Sequence, residues 1–330
     1  MSQTQIIKEK NQFIRDLADK TKVESSFLIK QSQLSVDRNG KSFMTLVLAD
    51  KTGEVDARIW DRPDQFASIA VQNAFIHIDG RCQEYQGRLQ VVIKGLELIR
   101  EDDLDMNQYF KESNLDPEKL YVELESLIDS MSDPHYTALA RKVLLEDEEV
   151  VEKLKVAPAA KSIHHAYKTG LLEHIVSISK TVGFLGEHYA PNINRDLLLL
   201  GGFFHDLAKI WELSYDKTTD YTTAGRLIGH LVMGTEYIDK KTREIEGFPE
   251  EKRLLVKHII LSHHGKLEFG SPKRPKLIEA VIVHAIDDLD SKFNSMLGFI
   301  QSDRSKGNWT ALNRTLERYI YKPDWIETEN

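Results

Sequence analysis

Seven residues in the second half of this 330-residue chain have side chains suited to holding a divalent cation. They are His174, the adjacent pair His205 and Asp206, His230, the adjacent pair His263 and His264, and Asp287. Neutral imidazoles and carboxylates are the donors a hard-to-borderline metal takes. Each lies in a segment whose apolar spacing predicts a helix. On a helix, neighbouring His and Asp side chains diverge by about 100°. Both can then reach one ion between them, and the second aspartate oxygen can serve another. His174 sits at the edge of the stripe Leu171, Ile175, Ile178 and Val182; alone, a histidine there is more often a hydrogen-bonded core residue. The segment 196–210 is apolar nearly all round, as in a central buried helix. Its His-Asp pair must be ion-paired or metal-bound, because an unpaired buried charge is costly. Lys209, three residues after Asp206 on the same face, suits either a phosphate oxygen or the surface at a helix end. His164 and His165 suit substrate phosphate, support of a ligand, or a buried hydrogen-bonded pair. The chemistry such a set supports is phosphoester hydrolysis: divalent ions bridged by Asp206 acidify a shared water, and the ions and Lys209 take up charge on the phosphoryl oxygens. No Ser-His-Asp arrangement stands out, and the single cysteine, Cys82, excludes an internal disulfide or a Cys-based zinc site.

The elements that must position these residues fall into two kinds. Residues 1–20 read as an amphipathic helix, with Ile6, Ile7, Phe13, Ile14 and Leu17 on its apolar side. From Val23 the period becomes two, and 23–35, 43–49, 54–60, 74–81 and 89–99 read as strands. Asn39-Gly40, Gln86-Gly87 and the segment 50–53 read as turns. Five short strands in so few residues suit an OB-fold barrel. An acidic connector follows at 101–105, then helices at 117–131 and 134–145. The run 146–149 reads as a solvated face or loop, and the remainder is helical. Asn194 caps the segment carrying His205, Pro249 opens the one carrying His263, and Gly265 ends it. The expected fold is multidomain α+β, a five-stranded OB-fold barrel followed by an all-α helical bundle.

The net charge of −8 argues against broad attraction to nucleic acid. Residues 1–100 nevertheless hold 15 Lys+Arg against 13 Asp+Glu, so the negative excess lies in the rest of the chain. The polar start lacks a signal-peptide core and no stretch approaches a membrane span; a cytoplasmic protein without membrane contact is expected.

The set His174, His205-Asp206-Leu-Ala-Lys209, His230, His263-His264 and Asp287 resembles the HD-domain metal phosphohydrolases. The stretch from Ala157 to Tyr167, then Gly170-Leu-Leu-Glu-His174, Gly229-His230 and the stretch from His284 to Asp290, is similar to the YhaM-type 3′→5′ exoribonucleases. So are Phe27-Leu-Ile-Lys30, Asp50-Lys-Thr-Gly-Glu54 and Ile59-Trp-Asp61 in the first part. The resemblance spans roughly residues 20–310 in one domain order, giving 21–100 as the OB-fold, 101–155 as connector and helices, 156–310 as the HD domain and 311–330 as an extension. It implies a first metal site of His174, His205, Asp206 and Asp287. It implies a second of His230, His263 and His264, bridged by Asp206. It also implies a divalent ion, by resemblance Mn2+, where spacing alone does not separate Mn2+, Fe2+, Co2+ and Mg2+. Asp287 follows His284 at the family's spacing; Asp290 reads as supporting a ligand or facing the helix surface. Two positions depart from the pattern: Ala208 stands where glycine is frequent and Thr169 where a second glycine is common.

The activity implied is removal of nucleoside 5′-monophosphates from the 3′ end of single-stranded RNA, and of single-stranded DNA if the 2′-hydroxyl is not checked. OB-folds hold single strands by aromatic stacking beside basic groups. Phe43, Trp60 and Tyr85, with Arg58, are the candidates here. Phe43 and Trp60 alternate away from the inward sets of their strands, so they contact bases, cover the barrel end or meet another domain. The alternative is an HD-type hydrolase of small nucleotides whose barrel serves regulation or assembly; a third reading is a nucleic-acid binder with an inactive HD fold. Apolar surface on the 101–150 helices would support a homo-oligomer.

Overall fold

The computed structural model describes residues 10–326, apart from 38–39, 86–87, 111–112, 114, 161–166, 216–218, 304, 306 and 314–315. The chain divides into two compact units, Met1–Glu112 and Ser113–Asn330.

The first unit is a closed barrel of β1 (Lys22–Val36), β2 (Ser42–Asp50), β3 (Gly53–Ile59), β4 (Phe75–Tyr85) and β5 (Arg88–Leu98). The strands run in the order β1-β2-β3-β5-β4, and only β3 and β5 are parallel. The register pairs Met44 with Ile59, Leu46 with Ala57 and Leu48 with Val55, so every second residue of β2 and β3 enters the core. A bulge between Ile29 and Gln31 bends β1, which pairs with β4 along its first half and β2 along its second. The turn at 50–53 is present, and Gly40 has the positive φ its turn needs. Asn39 and the pair Gln86-Gly87 lie outside the described residues.

The start of the chain differs from expectation. Residues 1–9 lie outside the described residues, and between 10 and 20 the only helical turn is a 3-10 turn at Ile14–Asp16. Its backbone is tied to the barrel instead of to a helix: Asp50 Oδ2 accepts from Ile14 N at 2.8 Å and faces the buried Lys10 Nζ at 3.2 Å. The segment 101–155 does not form a layer of its own. Ile99, Leu104 and Tyr109 pack on Leu28 and Phe75 of the barrel, whereas the helices beyond 116 join the second core.

The second unit contains α1 (Pro117–Asp129), α2 (Pro134–Leu144), α3 (Glu148–Leu154), α4 (Gly170–His188), α5 (Arg195–Phe204), α6 (Lys209–Glu212), α7 (Thr223–Leu227), α8 (His230–Arg243), α9 (Glu250–Ser262) and α10 (Ile278–Ser302). A two-stranded ribbon, β6 (Leu213–Ser214) with β7 (Asp220–Tyr221), lies between α6 and α7. Asp116, Asp133, Asp147 and Asn194 cap α1, α2, α3 and α5 by accepting from first-turn amides. The acidic run 146–149 is therefore the cap and first turn of a helix, where carboxylates favour the dipole. Helix α5 is buried along its length. Gly201 and Gly202 let it lie close to its neighbours: a Cβ on Gly201 would stand 2.6 Å from Val283 of α10, and one on Gly202 2.6 Å from Ser179 of α4. Among the described residues, no helix is long and apolar enough to cross a membrane.

Candidate functional site

His174 lies within α4 and Asp287 within α10, as expected. The others stand at helix ends. The expected helix 196–210 breaks after Phe204, so His205 and Asp206 occupy the turn before α6. His205 Nδ1 donates there to Gly202 O at 3.0 Å, the carbonyl a continuing helix would offer to the Asp206 amide. His230 is the first residue of α8, after Gly229 with φ +79°. His263 caps the end of α9, and His264 follows it. Helix ends suit this use, since a short turn aims adjacent side chains more freely than a helix does.

These ends converge. One donor atom each from His174, His205, Asp206 and Asp287 lie within 4.8 Å of one another, and so do donors from His230, His263 and His264. Asp206, 2 % exposed, stands between the groups. Its Oδ2 is 3.5 Å from His174 Nε2 and 3.6 Å from His205 Nε2. Its Oδ1 is 3.3 Å from His230 Nε2 and 3.4 Å from His263 Nε2. Asp287 Oδ1 is 3.4 Å from His174 Nε2. Ligands held about 2.1 Å from one ion at tetrahedral to octahedral angles stand roughly 3.0–3.5 Å apart.

The hydrogen bonding fixes which nitrogen faces inward. His174 Nδ1 lies 2.9 Å from Asp290 Oδ2 and His230 Nδ1 2.9 Å from Glu212 Oε1. The Nδ1 atoms of His263 and His264 each lie 2.9 Å from a carbonyl, of Ile260 and Phe269. A carbonyl only accepts, so Nδ1 carries the proton and the Nε2 lone pair points into the cluster. Nε2 of His174 and His205 consequently face each other at 3.2 Å. Asp206 Oδ1, His230 Nε2 and His263 Nε2 are buried without a hydrogen-bond partner. Inward lone pairs, orphaned acceptors and two carboxylates fit divalent cations on both sides of Asp206.

Burial holds His205 neutral, its pKa pulled down to about 4. Burial, with His263 and His230 nearby, does the same for His264, also to about 4. Burial opposes ionisation of Asp206, but Lys209 and His205 outweigh it and hold the carboxyl well below the usual range. Burial likewise disfavours a charged His174, yet Asp206, Asp287 and Asp290 around it raise its pKa well above the ordinary histidine value. The excess of carboxylates there calls for a positive charge, a proton or a metal. Lys209 is neither surface-exposed nor free: its Nζ donates to Asp206 Oδ2 at 2.6 Å.

Two supporting carboxylates complete the centre. Asp290 braces His174 and also accepts from Ser177 at 2.6 Å. Glu212 accepts from both Nδ1 and the backbone N of His230. Spacing gave no sign of Glu212, which lies 18 residues from its partner in another element. Of the two departures, Ala208 sits at an ordinary φ of −69° and needs no glycine. Thr169 has φ +70°, the left-handed region where glycine is easiest, and its hydroxyl donates to Lys155 O at 2.8 Å. His164 and His165 lie outside the described residues.

On the barrel, Phe43 and Trp60 stack on each other, centroids 5.0 Å apart at 25°, with Trp60 41 % exposed. Arg58 lies on the same outer face of β3, its Nη1 donating to Ala57 O. Tyr85 is exposed at the end of β4. Lys30, also basic and nearby in sequence, is paired with Glu54 at 2.6 Å.

Residues 171–292 match the model of the HD domain and residues 28–99 that of an OB-fold nucleic acid binding domain. Over 303 residues the chain is 34 % identical to a 3′-5′ exoribonuclease YhaM of Geobacillus sp. (strain WCH70), covering 91 % of this chain and 92 % of that protein. The protein of the same description from Bacillus subtilis (strain 168) is 32 % identical, covering 91 % and 95 %. The chain belongs to the YhaM family of 3′–5′ exoribonucleases. Family membership accounts for both units at once, a barrel of the nucleic-acid-binding class and an HD domain whose His and Asp donors surround Asp206.

Proposed function

We propose that this protein is a divalent-metal-dependent 3′→5′ exoribonuclease that releases nucleoside 5′-monophosphates from single-stranded RNA. The observation that carries the reading is the grouping of six other His and Asp donors around Asp206, with His174 and His205 facing its Oδ2 and His230 and His263 its Oδ1, in a chain whose relatives bear that activity in their names. His174, His205, Asp206 and Asp287 would hold one ion and His230, His263 and His264 the other, with Asp206 shared. Bound divalent ions supply an acidified water at neutral pH and charge neutralisation on the phosphate; Mn2+ is the ion we propose.

The chain's own residues supply the rest. Asp290, Glu212 and the carbonyls of Gly202, Ile260 and Phe269 fix the rings, so the donors are aimed before any ligand arrives. Lys209, held by Asp206, keeps a cation beside the bridging carboxylate, positioned to stabilise charge on a phosphoryl oxygen. Burial of the rings excludes bulk water, which strengthens each of these interactions. In the barrel, the Phe43–Trp60 stack and Tyr85 offer faces to bases, with Arg58 beside them. His164 and His165, next to α4 in sequence, are proposed to meet the substrate phosphate. Single-stranded DNA would be a further substrate if the site does not check the 2′-hydroxyl.

The test uses purified protein with Mn2+ and a 5′-labelled single-stranded RNA, beside EDTA and Asp206→Ala controls. A ladder descending from full length, with nucleoside 5′-monophosphates released and both controls inert, is expected. Intact RNA with metal bound would overturn the exonuclease reading and favour a small-nucleotide phosphohydrolase.

A further inference from the structure

Helix α10 does more than supply Asp287. His284, Asp287 and Asp290 follow one another at every third position, which keeps neighbours in the series on one face. Asp287 is a donor of the first group, and Asp290 braces His174 of that group. His284 belongs to neither donor group, yet it reaches the second. Its Nδ1 donates to the backbone carbonyl of His263 at 2.7 Å. A carbonyl only accepts, so Nδ1 carries the proton. The ring lies directly on Gly265: a Cβ there would stand 2.2 Å from His284 Nε2, 2.3 Å from Cε1 and 2.5 Å from Cδ2. Any side chain at 265 would push the imidazole away.

A helix end leaves carbonyls without intrahelical partners, and through the turn from 261 to 264 each carbonyl finds one elsewhere. Leu261 O accepts from Ser271 Oγ at 3.0 Å and Ser262 O from Gly265 N at 2.8 Å. His264 O accepts from Lys266 N at 2.9 Å. Those three donors come from the turn and the loop that follows it. His263 O is held from α10, the helix that carries Asp287. The bond from His284 therefore joins the backbone of the second donor group to the element that places the first. The His263 ring is fixed separately, its Nδ1 lying 2.9 Å from Ile260 O within α9. Ring orientation is thus set inside α9, and the position of the turn is set from α10.

We propose that His284 is a positioning residue of the metal centre, holding His263 and His264 in place against Asp206 and Asp287. The proposal rests on the metal-dependent reading and adds the residue that ties the two donor groups together from outside both. His263 Nε2 stands 3.4 Å from Asp206 Oδ1, and donors share an ion only when each lies within about 0.2 Å of its ideal distance. A small shift of the turn is therefore enough to spoil the second group. His174, His205 and Asp206 lie on other elements, and Asp287 lies one turn along α10 from His284. Loss of the His284 bond accordingly falls on the ion beside His263 and spares the one beside His174.

The experiment uses the full chain, stripped of metal and titrated with Mn2+ by calorimetry. In His284→Ala the ion beside His263 is expected to bind about 10–100-fold more weakly, the loss typical of a removed supporting partner, with the ion beside His174 unchanged. His284→Asn returns an N–H donor near the place of Nδ1 and is expected to restore most of that affinity. His284→Phe keeps a ring on Gly265 without the donor and is expected to resemble His284→Ala. The low-temperature EPR spectrum of the Mn2+-loaded chain, which reports coupling between neighbouring ions, is expected to change in His284→Ala and to return in His284→Asn. Native affinity for both ions in His284→Ala overturns the proposal. So does equal weakening of both ions, which marks a general structural role, or restoration by Phe and not by Asn, which makes ring packing the cause. A native chain that takes up no second ion overturns it as well. Failure of the exoribonuclease reading shows separately, as native protein that binds two ions and leaves single-stranded RNA intact.

Discussion

Glu212 binds no ion in this arrangement, yet it controls one donor completely. It accepts from the backbone N and from Nδ1 of His230, at 3.0 and 2.9 Å, fixing both the start of α8 and the ring. Burial resists its ionisation, but those bonds to His230 outweigh it and lower its pKa. Replacement by Gln keeps an acceptor and removes the charge that raises imidazole basicity. Losses of this kind cost about 10–100-fold in metal affinity. Calorimetric titration of Glu212→Gln with Mn2+ should show the ion beside His174 retained and the one beside His230 weakened by that amount; equal affinities at both would remove Glu212 from the centre. Lys10 makes a second prediction at this scale. Burial lowers its pKa from 10.5 to about 8, against the opposing pull of Asp50. The folded barrel thus pays the full cost of a buried ammonium below pH 8. Between 8 and 10.5 the unfolded chain still holds the proton that the folded one has released, so stability rises with pH there. The rise is on the order of 3 kcal/mol. Hydrogen exchange of β1–β5 should slow across this window, after correction for intrinsic rates, and Lys10→Met should abolish the pH dependence.

At the scale of elements, α5 sets the position of His205, and its two glycines set the position of α5. An alanine at 201 would gain up to ~1 kcal/mol of helix propensity. Its methyl would meet Val283 at 2.6 Å and Ile259 at 3.0 Å. Overpacking costs about 1–3 kcal/mol, so the clash wins. Gly201→Ala should lower the melting temperature of the helical unit and weaken metal binding together, because His205 follows directly on α5. A melting temperature at or above that of the native chain would show that the neighbours yield easily. The elements also show what the sequence made readable. The five strands were readable because inward and outward residues alternate, and Met44, Leu46 and Leu48 sit opposite Ile59, Ala57 and Val55. The donor set was readable because histidines beside aspartate are conspicuous in apolar segments. The break at His205 was not, because apolar periodicity continues through 196–210 and does not record where the helix ends. Nor was Glu212, whose partner is distant in sequence, while Asp290 was readable only as one of two roles. The 3-10 turn at Ile14–Asp16 replaces a helix because Asp50, far along the chain, captures the Ile14 amide.

At the scale of the whole molecule, two separately packed units imply separable roles. The barrel core and the helical core share no buried cluster among the described residues. A barrel that holds RNA raises the effective concentration of the strand at a tethered hydrolytic unit, a gain that exists only when the substrate reaches both. On the proposed function, a dinucleotide would need only the His/Asp site. Removal of residues 1–112, the limit of the first unit, should therefore reduce kcat/KM on long RNA by about tenfold or more and leave dinucleotide hydrolysis near that of the full chain. Trp60→Ala should move in the same direction by a smaller step, since it removes one exposed ring of the Phe43–Trp60 stack. Circular dichroism must first show that the isolated helical unit folds. With that established, an equal loss on both substrates would make the barrel a structural support, and no loss on either would remove it from RNA recognition.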